Sequence, residues 1–158
     1  MEIRLLTSAD NKFLANAIRD VLLEMRVPLE GSAFADTELD NMYETYLAPR
    51  SIYYVVEFKK KILGGAGITT LNKGSSHICE LQKMYIKPIA RGKGVGSDLL
   101  NLCLSFAKKN KFTLCYLETM PKMLDAQKLY KRNGFKYINK PMGETGHFSC
   151  PIWMTKKL

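Results

Sequence analysis

Nowhere does the sequence reach a run of about 18 consecutive apolar residues, the length a membrane-crossing helix requires. Glu2, Arg4, Asp10 and Lys12 interrupt the N-terminal stretch where an exported chain carries its apolar segment. A soluble, cytoplasmic protein with no membrane partner is the expectation. Cysteine is scarce and unpatterned. Cys79, Cys103, Cys115 and Cys150 form no C-x-x-C pair and sit singly among apolar neighbours, unlike zinc ligands or a disulfide framework. They are expected to be buried free thiols, and no bound metal is expected. Internal repeats, low-complexity tracts and linker-like stretches are absent too, so residues 1–158 read as one domain. With 46% hydrophobic and 25% charged residues, such a chain can bury about two-thirds of its unfolded surface. Intrinsic disorder and a disulfide-stapled miniprotein are thereby excluded.

What the chain does have is an uneven charge. Its net charge is +9, yet residues 1–50 carry 5 basic against 9 acidic side chains while residues 51–158 carry 19 against 6. A basic surface suits nucleic acid, an anionic membrane or a phosphate-bearing small ligand, and charge alone does not choose among them. The lysines fall mainly in turns and helix ends without interleaved stacking aromatics, so nucleic acid is not an expected partner.

The hydrophobic pattern reads as β-α-α-β-β-β-α-β-α-β-β. Residues 2–7 suggest a strand. Phe13, Leu14, Ala17, Ile18, Val21, Leu22 and Met25 recur at helical spacing behind Ser8, and Asp36 opens a second helix to about Leu47. Three successive strands follow: IYYVVEF, ILGGAGITT and HICELQKMYIKP. Gly64, Gly65 and Gly67 in the second mark a bulge or a close backbone approach. A helix spans about Val95 to Lys109, FTLCYLE is a strand, Met123 to Asn133 a helix, and FKYI and CPIWMTKKL are strands. The fold class is α/β (α+β), a mixed, mostly antiparallel sheet flanked by helices.

The sharpest local signal is Arg91-Gly92-Lys93-Gly94-Val95-Gly96-Ser97, between a strand and a helix. Glycines there let successive backbone N–H groups turn toward one point at the positive end of a helix dipole, a site for phosphate oxygens, with Arg91 and Lys93 adding charge. No Lys-Ser or Lys-Thr closes the loop as a P-loop requires, and Ser97 stands where a dinucleotide fingerprint has its third glycine. The pattern that fits is R-x-x-G-x-G on Arg91, Gly94 and Gly96, preceded by the strand Glu80 to Pro88 and followed by A-x-x-L-Y-x-x-x-G-F from Ala126 to Phe135.

In that order and spacing these segments resemble the GCN5-related N-acetyltransferase (GNAT) family, closely over about residues 77–137 and by element order over the whole chain. The resemblance implies an acyl-CoA N-acyltransferase fold and transfer of acetyl from acetyl-CoA to a primary amine by direct attack in a ternary complex. The strand before the loop is then expected to splay from the next. The backbone of Met84 and Ile86 would bond the pantetheine arm, and the turn from Gly92 through Lys93, Gly94, Val95 and Gly96 to Ser97 would hold the pyrophosphate. Tyr130 matches the tyrosine assigned as general acid to the departing thiolate. Met123 stands where the family often carries an asparagine on the pantetheine arm.

Glu80 is the candidate general base, since it begins the strand leading into the site. Uninterrupted alternation would put Glu80, Gln82, Met84 and Ile86 on one face and Cys79, Leu81, Lys83, Tyr85 and Lys87 on the other. Glu118 could serve as a substrate carboxylate or second base, and His147 is a further titratable candidate. Trp153, Phe135 and Phe148 are read as core. Asp36, Glu38, Asp40 and Glu44 would form an acidic ridge on the second helix and favour a cationic acceptor. An acyl-CoA sensor without turnover and a basic nucleic-acid-binding domain are the alternative functions; a homodimer is left open.

Overall fold

The computed structural model describes residues 1–158 as β1 (Glu2–Leu5), α1 (Asn11–Glu24), α2 (Met42–Thr45), β2 (Ile52–Phe58), β3 (Lys61–Thr70), β4 (Ile78–Ile86), α3 (Val95–Lys109), β5 (Leu114–Thr119), α4 (Leu124–Arg132), β6 (Lys136–Ile138) and β7 (Ile152–Lys157). The order is the one the hydrophobic pattern predicts. All seven strands form one sheet in the order β1-β2-β3-β4-β5-β7-β6. Every neighbouring pair is antiparallel except β4 and β5.

Two cores lie on opposite faces of that sheet. On one face α3 buries Val95, Leu99, Leu100, Cys103, Leu104 and Ala107 against Val56, Ile68, Cys79 and Leu81 of the strands, with Tyr130 and Phe135 from the α4 side. On the other, α1 buries Leu14, Ile18 and Leu22 against Tyr53, Val55 and Ile62. A stripe that turns once per 3.6 residues serves each helix, which is why the sequence periodicity was sufficient to find both. Phe13 is an exception: it continues the α1 pattern but is exposed. All four cysteines are buried free thiols.

The expected second helix is shorter than its pattern. Residues Thr37–Asn41 form a 3-10 segment and only Met42–Thr45 is α-helical. Long-range bonds set this segment's path: Asn11 Oδ1 accepts from the Tyr43 backbone N–H at 2.8 Å, while Asp36 and Glu38 are drawn to Lys83.

Two features of the sheet shape the site. The parallel ladder between β4 and β5 runs only from Ile78/Leu114 through Cys79/Cys115 to Glu80/Tyr116, beyond which the two strands part into a fork. The β3–β4 register also slips between Gly65 and Gly67, because Lys83 adopts φ +49 and inserts an extra residue into β4. Alternation therefore reverses there. Met84 and Ile86 pack with Cys79 and Leu81 toward α3, whereas Tyr85 packs toward α1 and Lys83 reaches Asp36 and Glu38. The face predicted for Met84 and Ile86 is thus corrected. The β3 glycines make room for this: a Cβ on Gly64 would strike the Tyr85 carbonyl, and one on Gly67 would meet the Tyr53 ring at 2.5 Å. Tyr53 in turn donates its hydroxyl to the Lys83 carbonyl at 2.8 Å, pinning the bulge.

Candidate active site

A two-part groove starts at the fork. Its inner part, about 430 Å³, is mostly apolar and runs between Met84 and Ile86 on one side and Met123, Ala126 and Leu129 on the other, with Tyr130 in its wall. Its outer part, about 780 Å³, is polar, bounded by the Gly92–Ser97 turn and by Lys128, Lys131 and Arg132 of α4. Arg91, Gly96, Asp125, Lys128 and Leu129 border both.

The turn is built as an anion cradle. Gly92 and Gly94 take φ +70 and +82, the left-handed region that side chains disfavour, and a Cβ on either would meet nothing within 4 Å. The Ser97 and Asp98 amides bond back to the Gly94 carbonyl, opening α3. The N–H groups of Gly92, Lys93, Gly94, Val95 and Gly96 make no bond within the chain and lie at the positive end of a 15-residue helix. An apolar slot leading to free amides and three basic side chains fits a phosphorylated pantetheine chain. Two predicted contributors are otherwise occupied. Arg91 is held by Glu24 at 2.8 and 2.9 Å and bonds the Ile86 carbonyl, and Lys93 Nζ bonds the Ile89 carbonyl, so Lys93 offers its amide rather than its charge. Lys128, Lys131 and Arg132 supply the charge instead. Their i, i+3, i+4 spacing would have placed them on one helical face.

On the α1 face of the fork lies a buried polar network. Glu80 is 3% exposed and accepts a hydrogen bond from Gln82 Nε2 at 2.7 Å, while Gln82 Oε1 accepts from Tyr46 at 2.8 Å. Burial pushes the Glu80 carboxyl up to about 7, against the Gln82 hydrogen bond and with help from the Glu118 charge. Glu118 accepts from Tyr116 at 2.6 Å and Thr145 at 2.7 Å. Side-chain donor atoms of Glu80, Glu118 and His147 lie within 4.8 Å of one another. His147 points Nε2 at Asp36 (3.0 Å), leaving Nδ1 3.9 Å from Glu118. Burial opposes a charge on His147, but the hydrogen bond to Asp36 and the Asp36 charge together outweigh it and raise its pKa. Burial likewise opposes the charge of Lys83, and Asp36 and Glu38 overcome it.

The structure thus joins Glu80, Glu118 and His147, which the sequence offered singly. Asp36 and Lys83 completed the network without any local signal, since their partners lie 45 or more residues away, whereas strand alternation had already set Gln82 on the face of Glu80. The acidic ridge does not survive as a unit: Lys83 pairs with Asp36 and Glu38, Arg19 pairs with Asp40, and Asn11 bonds Glu44. Phe148, expected in the core, is 81% exposed; Phe135 is buried as expected. Tyr130 is buried against Phe135, its ring centroid 5.8 Å away, and its hydroxyl makes no hydrogen bond within the chain. Burial raises the phenol's pKa, so it stays protonated.

The profile of the acetyltransferase (GNAT) family matches residues 17–135. The chain is 40% identical over 157 residues to a protein of Escherichia coli (strain K12) described as the uncharacterized N-acetyltransferase YjgM, covering 99% of this chain and 94% of that one. Among solved structures, an acetyltransferase of the GNAT family from Staphylococcus aureus Mu50 superposes with a TM-score of 0.88 at 20% identity, over 99% of this chain and 98% of the other. The PaiA N-acetyltransferase of Thermoplasma acidophilum in complex with coenzyme A superposes with a TM-score of 0.73 at 19% identity, over 99% and 98%. The fold, the forked strands and these matches together show that the chain belongs to the GNAT acetyltransferase family.

Proposed function

We propose that the protein transfers an acetyl group from acetyl-CoA to a primary amine, with Glu80 as general base and Tyr130 as general acid. The observation that carries this reading is the groove itself: an apolar slot, opening onto an amide cradle, at a fork whose last paired β4 residue, Glu80, carries a buried carboxyl raised to about 7. When bound, acetyl-CoA supplies the activated thioester. Glycine amides from Gly92 to Gly96, with Lys128, Lys131 and Arg132, hold the pyrophosphate and nucleotide end. The backbone of Met84 and Ile86, with no strand partner on its β5 side, bonds the pantetheine arm, and the apolar faces of Met123 and Leu129 pack along it.

Glu80 takes the proton that the amine loses on attack. Its raised pKa matches it to that task near neutrality, and Gln82 orients it. The peptide N–H beside Met84, held at the bulge, donates to the oxygen on which negative charge develops. Tyr130 keeps its proton until the thiolate leaves and then donates it.

Following thiol release while acetyl-CoA is mixed with a panel of amines tests the reading. Amine-dependent release above hydrolysis is expected. Coenzyme A binding without release for any amine would replace the enzyme with an acyl-CoA sensor.

A further inference from the structure

A recess of about 230 Å³ opens on the α1 face of the sheet, away from the groove, under the 141–150 segment. Its walls include Glu118, Glu144, Thr145, His147, Phe148 and Trp153. Glu118 lines it with a side chain only 5% exposed. The Glu118 carboxylate and that of Glu80 lie within 4.8 Å, and Glu80 is the last β4 residue paired to β5 before the fork. One carboxylate-to-carboxylate step therefore separates the recess from the place where the thioester is expected.

We propose that this recess is the acceptor port and that it selects a small organic cation, an amine without a carboxylate or phosphate of its own. The proposal rests on the acetyl-transfer reading above. Five carboxylates, Asp36, Glu38, Glu80, Glu118 and Glu144, surround the path, against only Lys83, Lys73 and His147. Lys83 is spent on Asp36 and Glu38, Lys73 on Glu144 and His147 on Asp36, so Glu118 holds only neutral donors within hydrogen-bonding distance. An anionic acceptor would find no basic side chain there that is not already paired with a carboxylate, His147 standing between Asp36 at 3.0 Å and Glu118 at 3.9 Å. An ammonium would find Glu118 and two aromatic side chains, Phe148 and Trp153, of the kind that attracts cations.

The aromatic wall is held in place. Phe148 is 81% exposed, yet its ring lies on Gly31 so closely that a Cβ there would collide with it. The segment that carries it is tied at several points: Ser149 N–H to the Gly31 carbonyl and Ser149 Oγ to the Glu30 carbonyl, both at 2.9 Å; Glu144 N–H to the Asn72 carbonyl at 2.9 Å; and Thr145 to Glu118. A large aromatic ring seated on Gly31 yet 81% exposed, in the same wall as Glu118, serves an incoming ligand better than it serves the core.

Trp153 is the only tryptophan in the chain and lies in this wall, so its fluorescence reports occupancy without turnover. The protein should be titrated with tetramethylammonium chloride, putrescine and L-aspartate, with sodium chloride at matched ionic strength as reference. Tetramethylammonium and putrescine are expected to change the signal saturably, and L-aspartate is not. Phe148→Ala removes an exposed side chain and should weaken both cations about two- to fivefold, the scale of one cation–π contact at an exposed site. In kinetics, tetramethylammonium should compete with the amine and not with acetyl-CoA. Cation responses no larger than sodium chloride gives, or tighter binding of L-aspartate, would overturn the proposal. So would acetyl transfer whose KM for the amine ignores both tetramethylammonium and Phe148→Ala, and that result leaves the transfer reading standing. Saturable cation binding without thiol release from any amine removes the transfer reading and with it the recess's role as an acceptor port.

Discussion

Glu80 shows at the scale of one residue how a site sets its own chemistry against stability. Its carboxyl rises from 4.5 to about 7 on folding, so the native state prefers it protonated. The stability it contributes is complete below pH 4.5 and is lost as pH rises through about 7. Glu80→Gln keeps a neutral amide at every pH. By linkage it should stabilise the protein at pH 8 by about 3 kcal/mol, read as a melting midpoint roughly 5 to 10 °C higher, with little change at pH 4. In the same variant kcat should fall and the activity limb near pH 7 should disappear. A limb that persists would move the base elsewhere, and Glu118 and His147 are the neighbours to replace next. For Tyr130→Phe the expectation is a roughly 100-fold lower kcat with coenzyme A affinity nearly unchanged, measured by steady-state kinetics and calorimetric titration. The two candidates were legible for different reasons. Tyr130 stands within the A-x-x-L-Y-x-x-x-G-F motif, whereas Glu80 was found only as a carboxylate at the start of the right strand, and its environment comes from residues remote in sequence.

Among the elements, β4 carries the most function per residue. Its bulge puts Lys83 on the same face as Glu80 and turns Met84 and Ile86 toward α3 and the groove. Replacing Lys83 by Met takes the buried ammonium from Asp36, which keeps only His147, and from Glu38, and removing one partner of a buried pair typically costs about 3 to 5 kcal/mol. Chemical denaturation at pH 7 should show a loss of that order. The turn before α3 behaves differently. Gly94→Val puts a branched side chain at φ +82, where it would both strain the backbone and screen the free amides. Coenzyme A binding should be lost in calorimetry while the far-UV spectrum is retained. The alternation rule failed at Lys83 because it assumes an unbroken ladder. A lysine with positive φ gives no local warning, and it is held there by the Tyr53 hydroxyl and two carboxylates from before β2. The expected second helix shortened for a related reason, since its polar side chains are claimed by α1 and β4.

For the molecule as a whole, the groove predicts ligand-linked stability. Coenzyme A at about 100 times its Kd should add about 2.7 kcal/mol, raising the melting midpoint by roughly 5 to 10 °C in a thermal scan. The absence of any shift would remove the groove from the function. No helix is long and apolar enough to cross a membrane. The order of elements, the two helix faces that bury the sheet, the glycine turn and the family itself were all set by the amino-acid sequence alone. Each depends on residues close along the chain, where periodicity, glycine content and motif spacing act directly. The meeting of Glu80 with Glu118 and His147, the reversal of the β4 faces at Lys83, the dismantling of the acidic ridge and the exposure of Phe148 were decided only by the tertiary structure. Burial, charge pairing and strand divergence are properties of groups brought together from distant positions, and they have no magnitude until the chain has folded.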